Sequence, residues 1–266
     1  MEQIGAVIIA GGKSRRMGKS KALLQLGGQT FLHRIAEQLD FFEDRLLSVG
    51  HADQYRLDGF QNIQDCYADI GPIGGLYSSL RACRSQWLLA VSCDMPLFHQ
   101  DLAEYLVSFV NDEYDAFVVV TRDGRLQPLC AIYSKPSADI LEEQIAKGNF
   151  SLMQALAAMK IKLISLRHSA YPDEMVSNVN CPEQYRTLRR RIQGPPILAV
   201  SGIKNSGKTT FLEGLLPELH ARGLRNVAVI KHDGHDFIPD VPGTDSYRLR
   251  AAGAQEVAVY SSKRYL

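Results

Sequence analysis

The sequence predicts an α/β protein with an open, mostly parallel sheet that has helices on both faces, followed by a smaller second α/β domain. The run "IGAVIIAGG" at residues 4–12 is apolar and ends in paired glycines, which is typical of a strand buried on both faces. Short β-rich runs then alternate with helical patterns of about ten residues, as in βαβ units. The chain has 266 residues, of which 45% are hydrophobic, so it can bury one large core or two of moderate size.

The predicted elements of the first domain follow this alternation. After the first run, the strands are expected at Arg45–His51, Trp87–Asp94, Asp115–Thr121, Leu129–Tyr133 and Ile161–Leu166. The helices are expected at Thr30–Leu39, Ile73–Arg84, Asp101–Val110, Ser137–Lys147 and Ser151–Met159. The segment "RRRIQGPP" suits a helix end followed by a linker, so we expect one domain at residues 1–191 and a second at 192–266.

The second domain begins with "ILAVSG", which predicts another buried strand. The phosphate-loop pattern "GIKNSGKTT" follows, and then a helix with an apolar stripe. That stripe consists of Phe211, Leu212, Leu215, Leu216 and Leu219. The runs "NVAVIKH" and "EVAVYSS" predict two further strands on either side of a helix at Asp245–Ala252.

Composition limits the partners and the compartment. The formal charge of +1 gives no reason to expect a nucleic-acid partner or an anionic membrane. The five cysteines are scattered without a Cys-x-x-Cys pair, which is typical of a reducing cytoplasm. Because no apolar run approaches the ~18 residues of a membrane-spanning helix, we expect a soluble cytoplasmic protein.

The stretch "AGGKSRRMGKSK", from Ala10 to Lys21, predicts a phosphate-binding loop. A glycine-rich turn between a strand and a helix exposes backbone N–H groups, which bind phosphate together with the helix N-terminus. Gly11 and Gly12 are followed by five cations: Lys13, Arg15, Arg16, Lys19 and Lys21. A solvated basic turn is the alternative interpretation.

Two further sites with acidic residues fall at strand ends, where open α/β sheets carry their chemistry. Asp94 follows an apolar strand in "AVSCDMP"; opposite a polyphosphate loop it is interpreted as a magnesium ligand, and otherwise as a turn former or helix cap. In "DCYADIGPIGG", Asp65 and Asp69 precede a glycine-rich helix start that would allow close approach of a base or sugar. A tight loop capped by aspartate explains that stretch equally well.

Five fragments then carry a resemblance to a known family. They are "IIAGGKSRRMGKSKALLQLGG", "QDCYADIGPIGGL", "CDMPLF", "LQPLCAIY" and "SNVNCPEQY", spread over roughly the first 190 residues. In this order and spacing they resemble the molybdenum cofactor guanylyltransferases, the MobA family. Single fragments also occur in sugar-phosphate and isoprenoid nucleotidyltransferases, whereas the combination with "NVNCPE" is specific. The resemblance implies a nucleotidyltransferase-type, Rossmann-like sheet.

The resemblance also implies an activity: transfer of GMP from magnesium-bound GTP to the terminal phosphate of Mo-molybdopterin, which yields the guanine dinucleotide cofactor and pyrophosphate. Asp94, Lys21 and Arg16 would carry catalysis, and Asp94 would ligate Mg²⁺. The implied GTP contacts are Ile9, Ala10, Gly11, Gly12, Lys21, Asp65 and Asp94, while Asn178 and Asn180 would face molybdopterin. Partners would be the proteins that make or accept the cofactor. Ser20 replaces an acidic residue common in the family, and "VGHADQ" lacks a common asparagine.

The second loop satisfies the phosphate-loop rule with Gly202, Gly207, Lys208, Thr209 and Thr210. Lys208 would reach the β and γ phosphates, and Thr209 is a candidate ligand of a second Mg²⁺. The continuation "VIKHDGHDF" and "PGTDSYRLRAAGA" is similar to the MobB family of GTP-binding accessory proteins. The chain ends 266 − 208 = 58 residues after the lysine, so we expect a partial MobB-like domain. His232 and His235 suggest a metal site, but a polar loop explains them more simply.

Three other functions fit parts of the sequence. A cytidylyltransferase acting on the same cofactor would share both loops. A GTP-binding adaptor that delivers the cofactor would make the second loop primary. A sugar-1-phosphate nucleotidyltransferase would share the first loop and Asp94, but it leaves "NVNCPE" and the MobB-like tail unexplained.

Overall fold

In the computed structural model, which describes residues 4–11, 20–50, 55–194, 196–203, 205–224, 226–232 and 243–261, the chain divides into two units. The first unit is Met1–Pro195 and the second is Pro196–Leu266. Among the described residues, no helix is both long and apolar enough to cross a bilayer.

A seven-stranded sheet organises the described part of the first unit, in the order β5-β4-β1-β6-β8-β7-β9. Neighbouring strands pair in parallel, except that β8 is antiparallel to both β6 and β7. The strands are β1 Ile4–Ile9, β4 Arg45–Gly50, β5 Gln61–Gln64, β6 Trp87–Ser92, β7 Ala116–Val120, β8 Leu126–Ser134 and β9 Ile161–Ser165. A small hairpin, β2 Gln25–Leu26 and β3 Gln29–Thr30, stands apart from this sheet.

Helices of the first unit connect these strands and cover the sheet. They are α1 Phe31–Glu37, α2 Pro72–Ala82, α3 Gln100–Val107, α4 Ser137–Ala146, α5 Leu152–Ala157 and α6 Pro182–Gln193. Short 3-10 turns occur at Lys21–Leu23, Leu166–His168 and Asp173–Val176. The helix starts follow local chemistry: Thr30 caps α1 by accepting the His33 N–H, and α2 and α6 begin at prolines, whose missing N–H is not needed there.

The strand period of two divides the core into two layers, one on each face of the sheet. In β1, Ala6 and Ile8 face one cluster, whereas Val7 and Ile9 face the other. The first cluster includes residues of α1 and α3: Leu32, Ile35, Leu102 and Leu106. The second includes residues of α2, α4 and α5: Leu76, Leu80, Leu141 and Leu156. The predicted open, mostly parallel sheet with helices on both faces is therefore confirmed.

One strand of this sheet, β5, was not predicted. Its sequence "QNIQ" has a single buried residue, Ile63, and pairs only with β4 at the sheet edge. An edge strand with one apolar side chain carries neither the continuous apolar run of a central parallel strand nor a clear alternation. The sequence pattern therefore gave no signal there.

The second unit contains α7 Lys208–Ala221, β10 Ala228–His232, α8 Asp245–Ala251 and β11 Glu256–Tyr260. β10 and β11 pair in parallel, and a small core lies between them and the helices. Glu213 of α7 accepts two hydrogen bonds from Arg248 of α8, at 2.7 and 2.6 Å, which joins the two helices by a bidentate ion pair.

The predicted strand at "ILAVSG", residues 197–202, is wrong. Its described backbone forms no ladder, and the side chains of Ile197 and Leu198 are 90% and 67% exposed. The segment pairs with neither free edge of the two-stranded sheet that β10 and β11 form, so its apolar side chains are left uncovered. The apolar stripe of α7 is only partly confirmed, since Leu216 is buried whereas Phe211 is 54% exposed.

Candidate active site

The side chain of Lys21 joins three segments that are far apart in the sequence. Its Nζ donates to Asp94 Oδ2 at 2.8 Å and to Asn180 Oδ1 at 2.6 Å. Lys21 begins the 3-10 turn after the first loop, Asp94 follows β6, and Asn180 precedes α6. The lysine and the aspartate side chains are only 18% and 12% exposed, so this ion pair is partly shielded from solvent.

Asp94 is held on both its side chain and its backbone. Ser92 Oγ donates to Asp94 Oδ1 at 2.7 Å, which fixes the plane of the carboxylate. The other oxygen, Oδ2, accepts the hydrogen bond from Lys21. The Asp94 carbonyl accepts the Val179 N–H at 2.9 Å, and the preceding residue, Cys93, donates its N–H to the Ile9 carbonyl at 3.1 Å. The carboxylate is therefore positioned by β1, β6 and the segment before α6 together.

The first loop leaves β1 through a close backbone contact with β4. A Cβ on Gly11 would lie 2.8 Å from Gly50 N and 3.0 Å from Gly50 Cα, so a side chain would force the two strand ends apart. Gly50 itself has φ +67°, a conformation that glycine adopts at little cost. Ala10 adds a hydrogen bond from its N–H to the Ser48 carbonyl, at 2.9 Å. The backbone of Ala10 and Gly11 is thus fixed beside the end of β4.

Asp65 lies next to this contact, directly after β5. Its N–H donates to the Gly50 carbonyl at 3.2 Å, and its Oδ1 accepts a hydrogen bond from Ser48 Oγ at 3.3 Å. Gly75 of α2 makes room for this pair, because a Cβ there would collide with Ser48 Oγ. The glycine-rich start of α2 therefore brings the helix against the strand ends.

The segment "NVN" before α6 alternates between the core and the surface. Val179 is buried against Leu26 and Phe31, while Asn178 and Asn180 on either side are exposed. Gln184 holds the turn by accepting the Asn180 N–H at 2.7 Å. Because a strand-like segment points successive side chains to opposite sides, anchoring the valine presents both asparagines on the other side.

Cys93 adjoins Asp94 but does not add a reactive group. Burial, together with the neighbouring Asp94 carboxylate, raises the pKa of its thiol to about 12. The thiol is therefore protonated at neutral pH, whereas a cysteine that acts as a nucleophile or a metal ligand must be a thiolate. Within the described ranges, no three His, Cys, Asp or Glu side chains are grouped to hold a metal ion.

In the second unit, the phosphate loop closes on its own lysine. Lys208 Nζ donates to the carbonyls of Gly202 and Ile203, at 2.8 and 2.6 Å. Gly207 precedes α7 with φ +83°, and Thr209 and Thr210 occupy the first turn of that helix. The ammonium group thus occupies the space inside the loop that the sequence pattern assigns to phosphate.

The structure brings together Lys21, Asp94 and Asn180, and it places Ile9, Ala10, Gly11 and Asp65 along the adjoining strand ends. Asn178 lies on the same segment as Asn180 without a contact to this cluster. Gly12 and Arg16 lie outside the described residues, as do Asp233 and His235. Sequence reasoning missed Ser92, Ser48 and Gly50. The signal for the two serines was present, since each is a polar residue within an apolar run: Ser92 ends β6, and Ser48 lies two residues before the end of β4.

Comparisons with known proteins give the family. A model described as "MobA-like NTP transferase domain" matches residues 6–161, and one described as "Molybdopterin guanine dinucleotide synthesis protein B" matches residues 197–266. The probable molybdenum cofactor guanylyltransferase of Clostridium perfringens is 29% identical over 192 residues, covering 70% of this chain and 96% of that protein. The molybdenum cofactor guanylyltransferase of Syntrophotalea carbinolica is 32% identical over 195 residues, covering 71% of this chain and 91% of that protein.

Among solved structures, molybdopterin-guanine dinucleotide biosynthesis protein A from Archaeoglobus fulgidus superposes with a TM-score of 0.62. The two chains are 20% identical, and the match covers 72% of this chain and 100% of that chain, so the similarity supports the fold alone. The first family model spans more than half of the chain, and the sheet, the strand-end cluster and the relatives agree with it. The chain therefore belongs to the MobA-like NTP transferase family of nucleotidyltransferases and carries a MobB-type domain after it.

Proposed function

We propose that this chain is a molybdenum cofactor guanylyltransferase, which transfers GMP from GTP to Mo-molybdopterin and releases pyrophosphate. The observation that carries the proposal is the Lys21 ammonium held between Asp94 and Asn180 at the C-terminal edge of the sheet. This edge is where open α/β sheets bind nucleotides. The names of the relatives supply the substrates, GTP and molybdopterin.

GTP would lie across the ends of β1, β4 and β5. The fixed backbone of Ile9, Ala10 and Gly11 offers peptide groups to the nucleotide, and Asp65 stands at the end where the nucleoside would lie. Because a Cβ at Gly11 would strike β4, only glycine lets the chain pass this close to β4 and hold these peptide groups in place. Gly12 and Arg16 would continue this loop around the triphosphate, as their positions in the family pattern suggest.

Mg²⁺ would be held by Asp94 together with the substrate phosphates. The donor set fits this ion. Asp94 supplies one carboxylate that Ser92 fixes, and that carboxylate already binds a cation, the Lys21 ammonium, at 2.8 Å. Magnesium commonly takes one or two carboxylates and completes its coordination with phosphate oxygens and water. Bound there, the ion would offset phosphate charge during transfer.

The reaction requires little of a general base. An oxygen of the acceptor phosphate attacks the α-phosphorus of GTP; the new P–O bond forms as the bond to the bridging oxygen of the β-phosphate breaks, and pyrophosphate leaves with that electron pair. A phosphate monoester with a second pKa of ~6 is already mostly dianionic near neutral pH. The chain must instead reduce the repulsion between two anions, and the preorganised Lys21 ammonium does so without reorganisation.

The asparagines would orient the acceptor. Asn178 and Asn180 are the exposed residues on either side of the anchored Val179, and Asn180 reaches Lys21. An acceptor held by them would have its phosphate beside the same ammonium as GTP. Amide groups can donate to phosphate oxygens and accept from pterin N–H groups without adding charge. The pair would thus hold the nucleophile close to the α-phosphorus.

The second domain, which we assign to residues 192–266, would bind a nucleotide at Gly202, Gly207, Lys208, Thr209 and Thr210. Lys208 already lies inside the loop, so phosphate oxygens would replace the carbonyls that hold it now. Thr209 would provide the hydroxyl ligand of a second Mg²⁺. GTP binding that survives Asp94→Ala and is lost in Lys208→Ala would establish this second site; binding lost in the first variant alone would refute it.

A nucleotide panel tests the proposed function. The full chain is incubated with Mo-molybdopterin, Mg²⁺ and GTP, CTP, ATP or UTP in turn, and pyrophosphate is measured. We expect release with GTP and little with the others. A preference for CTP would make the chain a cytidylyltransferase, and orthophosphate alone would favour the adaptor function.

A further inference from the structure

The strand register aligns several strands in one row beyond β6. Ala131 of β8 pairs with Ala90 of β6 on one side and with Val118 of β7 on the other. Val118 pairs in turn with Leu163 of β9. Because β8 is antiparallel to both neighbours and β7 is parallel to β9, the strands β6, β7 and β9 run in the same direction.

Beyond this row the chain reaches Asp94 after β6, Arg122 after β7, and Arg167 in the 3-10 turn after β9, although the pairing of β7 with β8 shifts between Val118 and Val119. These three residues therefore lie beyond the C-terminal ends of strands that run in the same direction, at one edge of the sheet. Adjacent strands lie about 4.8 Å apart, so β6 and β7, which flank β8, are about 10 Å apart. Both arginines lie on the side of β6 opposite to β1, which carries the GTP loop.

Both guanidinium groups are oriented by backbone carbonyls. Arg122 Nη2 donates to the Tyr171 carbonyl at 3.2 Å, and Arg167 Nη2 donates to the Arg122 carbonyl at 3.2 Å. In the part of the chain that the structure describes, neither side chain forms a salt bridge; the nearby Asp173 carboxylate accepts the backbone N–H of Arg122 instead, at 3.2 and 3.0 Å. The two exposed charges are thus held in place without a carboxylate bonded to them.

We propose that Arg122 and Arg167 form an anion-binding pair for the acceptor, at the end distal to its reacting phosphate. This inference rests on the proposed function. In-line transfer requires the acceptor to attack the α-phosphorus from the side opposite to the leaving pyrophosphate. With GTP over the ends of β1, β4 and β5, the length of the acceptor would lie over the ends of β8 and β7. The thiolate and oxo groups around the metal carry negative charge, and oriented guanidinium groups with several N–H donors suit them.

The variants Arg122→Gln and Arg167→Gln test the pair. Equilibrium binding of Mo-molybdopterin is measured without GTP, across a series of salt concentrations, and the KM for GTP is measured separately. We expect each change to raise the dissociation constant for the acceptor by about tenfold, the effect of one charge-assisted hydrogen bond. The salt dependence should become weaker, and the KM for GTP should stay within about twofold.

Arg125→Gln is the matched control, because Arg125 lies on the same turn but is paired with Asp123 at 2.8 Å. It should bind the acceptor almost as the unchanged chain does. The inference is overturned if all three variants bind alike, or if affinity falls while the salt dependence is unchanged, which would indicate a purely structural role. If the unchanged chain binds the acceptor but transfers no GMP, the proposed function is refuted. The role of Arg122 and Arg167 is still decided in that case, because it is measured by binding alone.

Discussion

At the residue scale, the account depends on one carboxylate and its partners. Asp94 receives a hydrogen bond from Ser92 and an ion pair from Lys21, and its own carbonyl fixes the segment that carries Asn180. One position thus joins the proposed metal ligand, the proposed phosphate-binding cation and the proposed acceptor side. Substitutions here should affect turnover far more than stability.

Replacing Asp94 with alanine should lower GMP transfer on the order of a thousandfold, because the charge that would hold Mg²⁺ against the phosphates is lost. Steady-state pyrophosphate release measures the effect, and circular dichroism checks the fold. Asp101→Ala, a change of an exposed carboxylate at the start of α3, should leave turnover unchanged. A variant at position 94 with near-normal transfer would remove Asp94 from the mechanism.

Ser92 is a positioning residue, and Ser92→Ala should act through Asp94. Loss of the 2.7 Å hydrogen bond frees the carboxylate to rotate, so we expect kcat/KM to fall about tenfold and the Mg²⁺ concentration for half-maximal activity to rise. Ser137→Ala removes a comparable buried hydroxyl, which donates to the Asp115 carbonyl at 2.9 Å. If both variants lose stability alike and neither changes the Mg²⁺ requirement, Ser92 has no role in positioning Asp94.

At the element scale, the sequence patterns predicted the central strands β1, β4 and β6 and the helices between them, since a run buried on both faces leaves a continuous apolar signal. They failed where context decides. β5 is a polar edge strand, and "ILAVSG" is apolar but lacks a partner strand in the described residues. The contacts of Lys21 across 159 positions of sequence required the fold itself.

The contact between the ends of β1 and β4 should not tolerate a side chain at Gly11. Because backbone atoms of Gly50 stand in the way, Gly11→Ala should lower the free energy of unfolding by about 1–3 kcal/mol and raise the KM for GTP. Denaturant titration and steady-state kinetics measure the two effects. Unchanged values for both would show that the strand ends are not packed as described.

Helix α7 of the second unit should gain from the opposite change. Gly214 lies inside this helix, and no atom is within 4 Å of the position that a Cβ would take. Gly214→Ala should therefore stabilise the helix by about 0.5–1 kcal/mol through its lower backbone entropy cost. Hydrogen exchange of α7 amides should slow accordingly; faster exchange would indicate that the glycine backbone is used in another way.

At the scale of the whole molecule, the described residues form a transferase unit with a seven-stranded sheet and a smaller unit with two paired strands. Their cores are separate: two layers on the faces of the large sheet, and one cluster around Leu216 and Val257. Both units have a glycine-rich sequence followed by a lysine at the start of a turn or helix, but among the described residues only the first brings an aspartate to its lysine.

The packing of the first unit predicts how its thiols react. Burial raises the pKa of the Cys83 thiol to about 11 and that of Cys93 and Cys130 to about 12, so these remain protonated at pH 8. Iodoacetamide should label the exposed Cys66, and it should label the half-buried Cys181 more slowly. The other three cysteines should react only in denaturant. Peptide mass spectrometry reads the pattern; rapid native labelling of Cys130 would contradict the sheet core.

In the proposed reaction, the bond between the α and β phosphates of GTP breaks as the acceptor meets Lys21 and Asp94. To follow that bond, the full chain is supplied with Mg²⁺, Mo-molybdopterin and GTP labelled at either the α or the γ phosphate, and each label is traced. We expect the α label in the cofactor and the γ label in pyrophosphate, in equal amounts. Label released as orthophosphate, with none entering the cofactor, would contradict the proposed reaction.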